Sequence, residues 1–166
     1  MSTCRCRRTV GAPRGASTSE EWLAAEPAPA RLHGIVQRTL DYLGLDIEQW
    51  EVRIADTEKI NRKWWKDVDA RAIIVHGSTL HILVNPAMGQ EARKMGLLQH
   101  QILVHEVLHY MFFAHERTVQ RLLGEDSRRG ITVYESGHDL LDRLAWTLVY
   151  HIFPDINPEE DILAES

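Results

Sequence analysis

One short segment of the chain, His105-Glu106-Val107-Leu108-His109, has the residue types and the spacing of a metal site. Residues four apart lie on one face of a helix, so both imidazoles can reach a single ion. The glutamate after the first histidine projects beside that ion, where it can accept a proton from water. The surrounding residues are apolar, and burying these polar groups among them without a partner would be costly. The pattern therefore predicts a zinc site with Glu106 as general base.

A catalytic zinc site needs a third protein ligand, and the sequence leaves its identity open. The candidates are His115, Glu135, His138 and Asp139. His115 stands six residues after His109, the spacing used by metzincins, but their pattern places glycine where this chain has Phe112. On an unbroken helix, six residues turn His115 roughly 240° away from His109. This argues against His115 as the ligand.

The segment from His138 to Ala145 resembles the second zinc-binding helix of gluzincins, the thermolysin-like clan. It resembles more closely still their small intracellular relatives, which include phage-encoded minimal members and the family that cleaves phage-type repressors. In that helix a glutamate ligand is followed four residues later by an acidic or amide residue. A small residue comes three further on, where two helices touch. Aligning those two positions with Asp142 and Ala145 puts His138 in the ligand position, so histidine stands here where the family has glutamate.

A rival alignment takes Glu135 as the ligand and Asp139 as its partner, which keeps the family's residue types. It places Asp142 at the helix contact where the family has a small residue, so we favour the first alignment. The resemblance then implies that Asp142 holds one zinc-bound histidine by its other ring nitrogen. The predicted zinc ligands are His105, His109 and His138.

Two functions follow from this site. The resemblance implies a zinc-dependent metallopeptidase that acts on a protein or peptide substrate, with Glu106 as its catalytic residue. The alternative is a catalytically silent protein of the same fold, in which zinc only clamps two helices together. An open coordination position beside Glu106 would favour the enzyme, and a fourth protein ligand would favour the structural role.

The remaining pattern predicts an α+β, zincin-like fold, with a small mixed sheet, an active-site helix and a C-terminal closing helix. Hydrophobic periodicity predicts helices near residues 32–43, 97–113 and 133–152, and strands at 50–54, 72–76 and 80–84. The last two strands flank Gly77-Ser78 and are expected to form a hairpin. The strand over residues 79–84 is the expected edge strand, where zincins bind an extended peptide by backbone pairing.

Length and composition set the remaining expectations. The 166 residues, 44% hydrophobic and 26% charged, predict a disordered segment over 1–27, one domain over 28–153 and an acidic tail over 154–166. A net charge of −5 argues against nucleic acid as a partner. The sequence has no apolar run of about 18 residues and no secretory signal pattern, which predicts a cytoplasmic protein without a membrane partner. Cys4 and Cys6 are expected to be free thiols.

Overall fold

The computed structural model describes residues 18–56, 70–75, 78–86, 96–124 and 127–156. The expectations for residues 1–17, which include the free thiols of Cys4 and Cys6, and for the tail from residue 157 lie outside these ranges. In the described part, the elements in chain order are α1 (Thr18–Ala24), β1 (Glu26–Pro27), α2 (Ala30–Leu43), β2 (Gln49–Ile54), β3 (Ala70–Val75), β4 (Thr79–Val84), α3 (Gly96–Leu123) and α4 (Arg128–Ile152). The α+β class is therefore confirmed.

The described strands form one mixed sheet in the order β1-β2-β4-β3. The predicted hairpin is confirmed, because β3 and β4 pair antiparallel. The prediction that residues 79–84 form the edge strand is wrong. In the structure β4 also pairs in parallel with β2 along all six residues, from Gln49 opposite Thr79 to Ile54 opposite Val84, so it lies inside the sheet. Among the described strands, the edge strand that contacts α3 is β3.

The two faces of the sheet are covered by different elements. Because side chains alternate along a strand, Leu80 and Ile82 of β4 point into the main core, which α2, α3 and α4 complete. Leu83 points the other way, into a small cluster with Trp22 of α1. No helix in the described ranges is both long enough and apolar enough to cross a membrane.

The expectation of disorder through residue 27 is wrong for residues 18–27, where α1 and β1 form. Trp22 is only 8% exposed, and its ring stacks on His81 of β4 with a centroid distance of 3.9 Å. Oε2 of Glu21 lies 3.6 Å from Nη1 of Arg71 in β3. A single large aromatic side chain gives this polar segment enough buried contact to fold onto the sheet. Composition alone does not reveal that contact.

The connection between α3 and α4 is much shorter than the gap between the predicted helices over 97–113 and 133–152. Gly124 ends α3 with a left-handed φ of 80°, and the Ser127 hydroxyl accepts a hydrogen bond from Gly130 N as the N-cap of α4. A β-carbon on Gly130 would collide with the carbonyl oxygen of Gly124, so glycine permits this close approach. The final helix consequently begins at Arg128 rather than at Val133. At its other end, Ile156 packs against the core beyond the predicted domain limit at 153.

Candidate metal centre

The candidate site lies between the two long helices. His105 and His109 project from α3, and His138 projects from the facing turn of α4. Ala145, two turns after His138, is completely buried. A small residue at such a contact lets two helices approach closely. Ala145 belongs to the main core together with Val104 and Leu108 of α3, and the packing of the two helices brings His138 to the α3 pair.

The imidazoles of the three histidines converge through their Nε2 atoms. His105 Nε2 lies 3.1 Å from His109 Nε2 and 3.2 Å from His138 Nε2. Each residue offers one ligand atom, and the three ligand atoms lie within 4.8 Å of one another. Of the residues that the structure describes, no fourth histidine, cysteine or carboxylate joins this group. Three nitrogen donors are the number of protein ligands that a catalytic zinc site uses.

The two separations from His105 Nε2 suit a tetrahedral ion. With zinc–nitrogen bonds of about 2.0–2.1 Å, two ligands of a tetrahedron stand about 3.3 Å apart. Hydrogen bonds between the rings cannot explain the arrangement fully, because a neutral imidazole carries a single N–H. His105 Nε2 faces two other ring nitrogens, and one proton cannot bridge to both. A shared cation would satisfy all three lone pairs at once.

The far side of His105 faces a carboxylate on α4. Asp142 Oδ1 lies 3.5 Å from His105 Nδ1, and Gln101 Nε2 donates a hydrogen bond of 2.6 Å to the same oxygen. Burial alone would raise the pKa of Asp142, but the contacts with His105 and Gln101 outweigh it and leave that pKa below its usual value. An ionised Asp142 favours the proton of His105 on Nδ1. The Nε2 lone pair is then directed at the other two histidines.

His138 is the half-buried member of the group, whereas His105 is fully buried and His109 nearly so. Burial, together with the positive charge that His105 and His109 would carry if protonated, lowers the pKa of His138 to about 3. Its imidazole is therefore neutral near pH 7, which is the form that binds a metal. The part-exposed side of the cluster lies at His138.

Glu106 is completely buried and points to the edge strand. Its Oε2 accepts a hydrogen bond of 2.6 Å from the backbone N–H of Ala72, in the middle of β3. Its Oε1 is buried and has no hydrogen-bond partner among the described residues. A buried carboxylate oxygen without a donor is costly. This oxygen is available to accept a proton or a hydrogen bond from a small ligand.

The rival ligands do not reach the cluster. His115 of α3 and Glu135 and Asp139 of α4 are all exposed, and none belongs to the group of converging ligand atoms. Tyr134 of α4 lies beside His138, with the two rings tilted and their centroids 6.1 Å apart.

Two residues that contact the site were missing from the sequence analysis. Gln101 stands one turn before His105 and holds Asp142, and Glu116 stands two turns after His109 with Oε1 3.3 Å from its Nδ1. Helical spacing could have indicated both, since positions 101, 105 and 109 are four apart and position 116 follows seven later. Their role depends on partners in space that the motif does not name.

Comparisons of this chain with protein-family models, with curated proteins and with solved structures found no match. The likeness to gluzincins therefore rests on the two short motifs and on the geometry of the residues that they contain. Metal binding by the three histidines stays a prediction, and so does the assignment to the zincin fold.

Proposed function

We propose that this protein is a zinc-dependent metallopeptidase of the zincin type, with His105, His109 and His138 as its metal ligands. One observation carries the proposal: three histidine ligand atoms lie within 4.8 Å of one another, and the residue after the first histidine is a buried glutamate with one oxygen that has no hydrogen-bond partner among the described residues. The same three histidines are the ligand set that the alignment on Asp142 and Ala145 selects.

The chain's own groups have distinct tasks in this mechanism. A zinc ion at the three histidines would lower the pKa of a bound water to about 7 and polarise the substrate carbonyl. Glu106 accepts the water proton on its free Oε1 and then delivers it to the leaving amine. The Ala72 N–H holds the other carboxylate oxygen in place, so the base is oriented before substrate arrives. Asp142 and Gln101 keep the His105 ring turned toward the ion.

The proposed substrate is an extended peptide that adds to the sheet at β3. The corrected sheet order supports this, because β3 and not β4 is the described edge strand beside the site helix. An unpaired strand edge offers backbone donors and acceptors to an extended chain. Glu106 already receives the N–H of Ala72, so the pairing peptide would run directly past the general base.

The decisive experiment compares the zinc-loaded wild type with Glu106→Gln on a proteome-derived peptide library, with cleavage products read by mass spectrometry. Glutamine keeps the shape but cannot accept the proton, so cleavage should fall about 10²–10⁴-fold. Zinc content should stay at about one ion per chain, because Glu106 is not a ligand. Equal cleavage by the variant would refute the role of Glu106.

A non-enzymatic helix clamp is the second candidate, and the full burial of His105 and Glu106 favours it. In that case zinc joins α3 to α4 and no peptide reaches the metal. The same experiment separates the two functions. A wild type that holds zinc stoichiometrically yet cleaves nothing in the library is a clamp, and one that cleaves and loses cleavage in Glu106→Gln is a peptidase.

A further inference from the structure

Glu116 lies outside both zinc motifs, yet its carboxylate reaches the candidate metal centre. Its Oε1 is 3.3 Å from His109 Nδ1 although the two residues are seven apart on α3. Seven residues are close to two full turns, so both side chains leave the same face. Side chains on a helix tilt toward its N-terminus, which brings the longer glutamate back toward the histidine. The Glu116 side chain is only 26% exposed.

We propose that Glu116 is a positioning residue of the metal site: it holds the proton of His109 on Nδ1 and so directs the Nε2 lone pair at the metal. The proposal rests on the metal-binding part of the proposed function and is independent of peptide hydrolysis. A carboxylate at the outer ring nitrogen fixes both the tautomer and the orientation of a metal-binding histidine, and it raises the basicity of the ligand.

The two histidines of α3 then each have a carboxylate near Nδ1, contributed by different helices, and only the contact to His109 is a hydrogen bond. His105 has Asp142 of α4 at its Nδ1, at 3.5 Å, and His109 has Glu116 of its own helix at 3.3 Å. The Glu116 charge also acts on His138, where it favours positive charge. Three neutral imidazoles leave the double charge of a zinc ion uncompensated, and two nearby carboxylates offset it. Glu116 therefore contributes orientation and charge without touching the ion.

The test measures zinc affinity of the full chain by competition with a chromophoric chelator. Wild type is compared with Glu116→Ala, Glu116→Gln and the control Glu135→Ala. Glu135 is an exposed carboxylate three residues from His138 that lies outside the converging group. Glu116→Ala should weaken zinc binding about 10–100-fold, the usual effect of losing such a partner. Glu116→Gln should weaken it less, because the amide oxygen still accepts the Nδ1–H. Glu135→Ala should bind like wild type.

A second readout follows the His109 ring itself. Long-range ¹H–¹⁵N spectra of the zinc-loaded proteins report which ring nitrogen carries the proton. In Glu116→Ala the His109 Nδ1 resonance should shift or broaden, while that of His105, which Asp142 holds, should not. The proposal is overturned if Glu116→Ala matches Glu135→Ala in zinc affinity and leaves the His109 resonances unchanged. A wild type that binds no zinc would instead refute the proposed function as a whole.

Discussion

Two clusters that contain histidine lie on opposite sides of the sheet. They differ in whether other protein groups provide partners for the polar atoms. In the outer cluster, His81 stacks on Trp22, with the two rings only 5° from parallel. Arg53 lies over the indole at 4.5 Å and donates to the Trp22 carbonyl and to Glu51. In the inner cluster, between α3 and α4, three imidazole nitrogens face one another.

This difference distinguishes a histidine with a structural role from histidines that are candidate metal ligands. The outer cluster is stabilised by stacking, by a cation over an aromatic face and by an ion pair, all supplied by the protein. The inner cluster places imidazole lone pairs next to one another in the protein interior. A carboxylate oxygen lies near the Nδ1 atom of both His105 and His109. A cation among the nitrogens would satisfy these lone pairs together, whereas the outer cluster needs none. Metal should therefore matter to one cluster and not to the other.

The largest expected effect comes from deleting the α4 ligand. His138→Ala would remove a proposed direct ligand of the metal. Its zinc affinity should therefore fall by more than the roughly 10–100-fold expected when a residue that only hydrogen-bonds to a ligand is lost. His115→Ala and Glu135→Ala serve as matched controls, since both side chains are exposed and lie outside the group. Zinc per chain after gel filtration measures the result. A control that loses as much zinc as His138→Ala would contradict the ligand assignment.

The placement of α3 and of its two histidines could be predicted because the information is local. Four-residue spacing puts His105 and His109 on one face of any helix, and the apolar residues around them already predict a buried one. Predicting His138 as the third ligand needed information beyond residue type, because the side chains of Glu135 and Asp139, both exposed in the structure, can also bind zinc. Only the alignment on Ala145, the buried helix contact, selected it.

The sheet order and the fold of α1 could not be predicted, because both depend on contacts between distant segments. The strand pattern of β4 is the same whether one neighbour or two flank it, so its interior place was missed. Trp22 is the single aromatic residue among residues 1–27, and its partner His81 is 59 residues away in sequence. Glu116 was missed for a different reason: it lies two turns from His109 on the same helix, but its contact is not part of a motif.

Metal removal is the next test of the contrast between the clusters. Zinc at about 1,000 times its dissociation constant stabilises the folded state by about 4 kcal/mol, so chelation should lower Tm by roughly 8–16 °C. Hydrogen exchange should locate the change. Amides of α3 and α4 should lose protection, while those of β2 and β4 beneath the outer cluster should change less. Equal loss of protection in both regions would show that the clusters are not independent.

Trp22→Ala should give the opposite result. The substitution removes a buried indole together with its stacking on His81, which should cost about 3 kcal/mol of unfolding free energy. Zinc affinity should stay within about twofold of wild type, because well-separated sites act almost additively. Denaturant unfolding with and without chelator measures both effects. A Trp22→Ala protein that loses zinc would show that the outer cluster helps to position the metal site.

The smallest expected effect is the pH dependence of the outer cluster. Burial lowers the pKa of His81; Glu51 raises it and Arg53 lowers it further, each by less than burial does. The folded state thus favours neutral imidazole, and this contribution to stability is complete above the unfolded pKa of about 6.5. It is lost as the pH falls through 6.5 toward the lower folded pKa, because the unfolded chain takes up the proton first. His81→Phe keeps an aromatic ring against Trp22 but removes the titration, so its stability should fall less than that of wild type between pH 7.5 and 5.5. Identical pH profiles would show that His81 does not contribute, and since both proteins share the inner cluster, any difference between them belongs to the outer one.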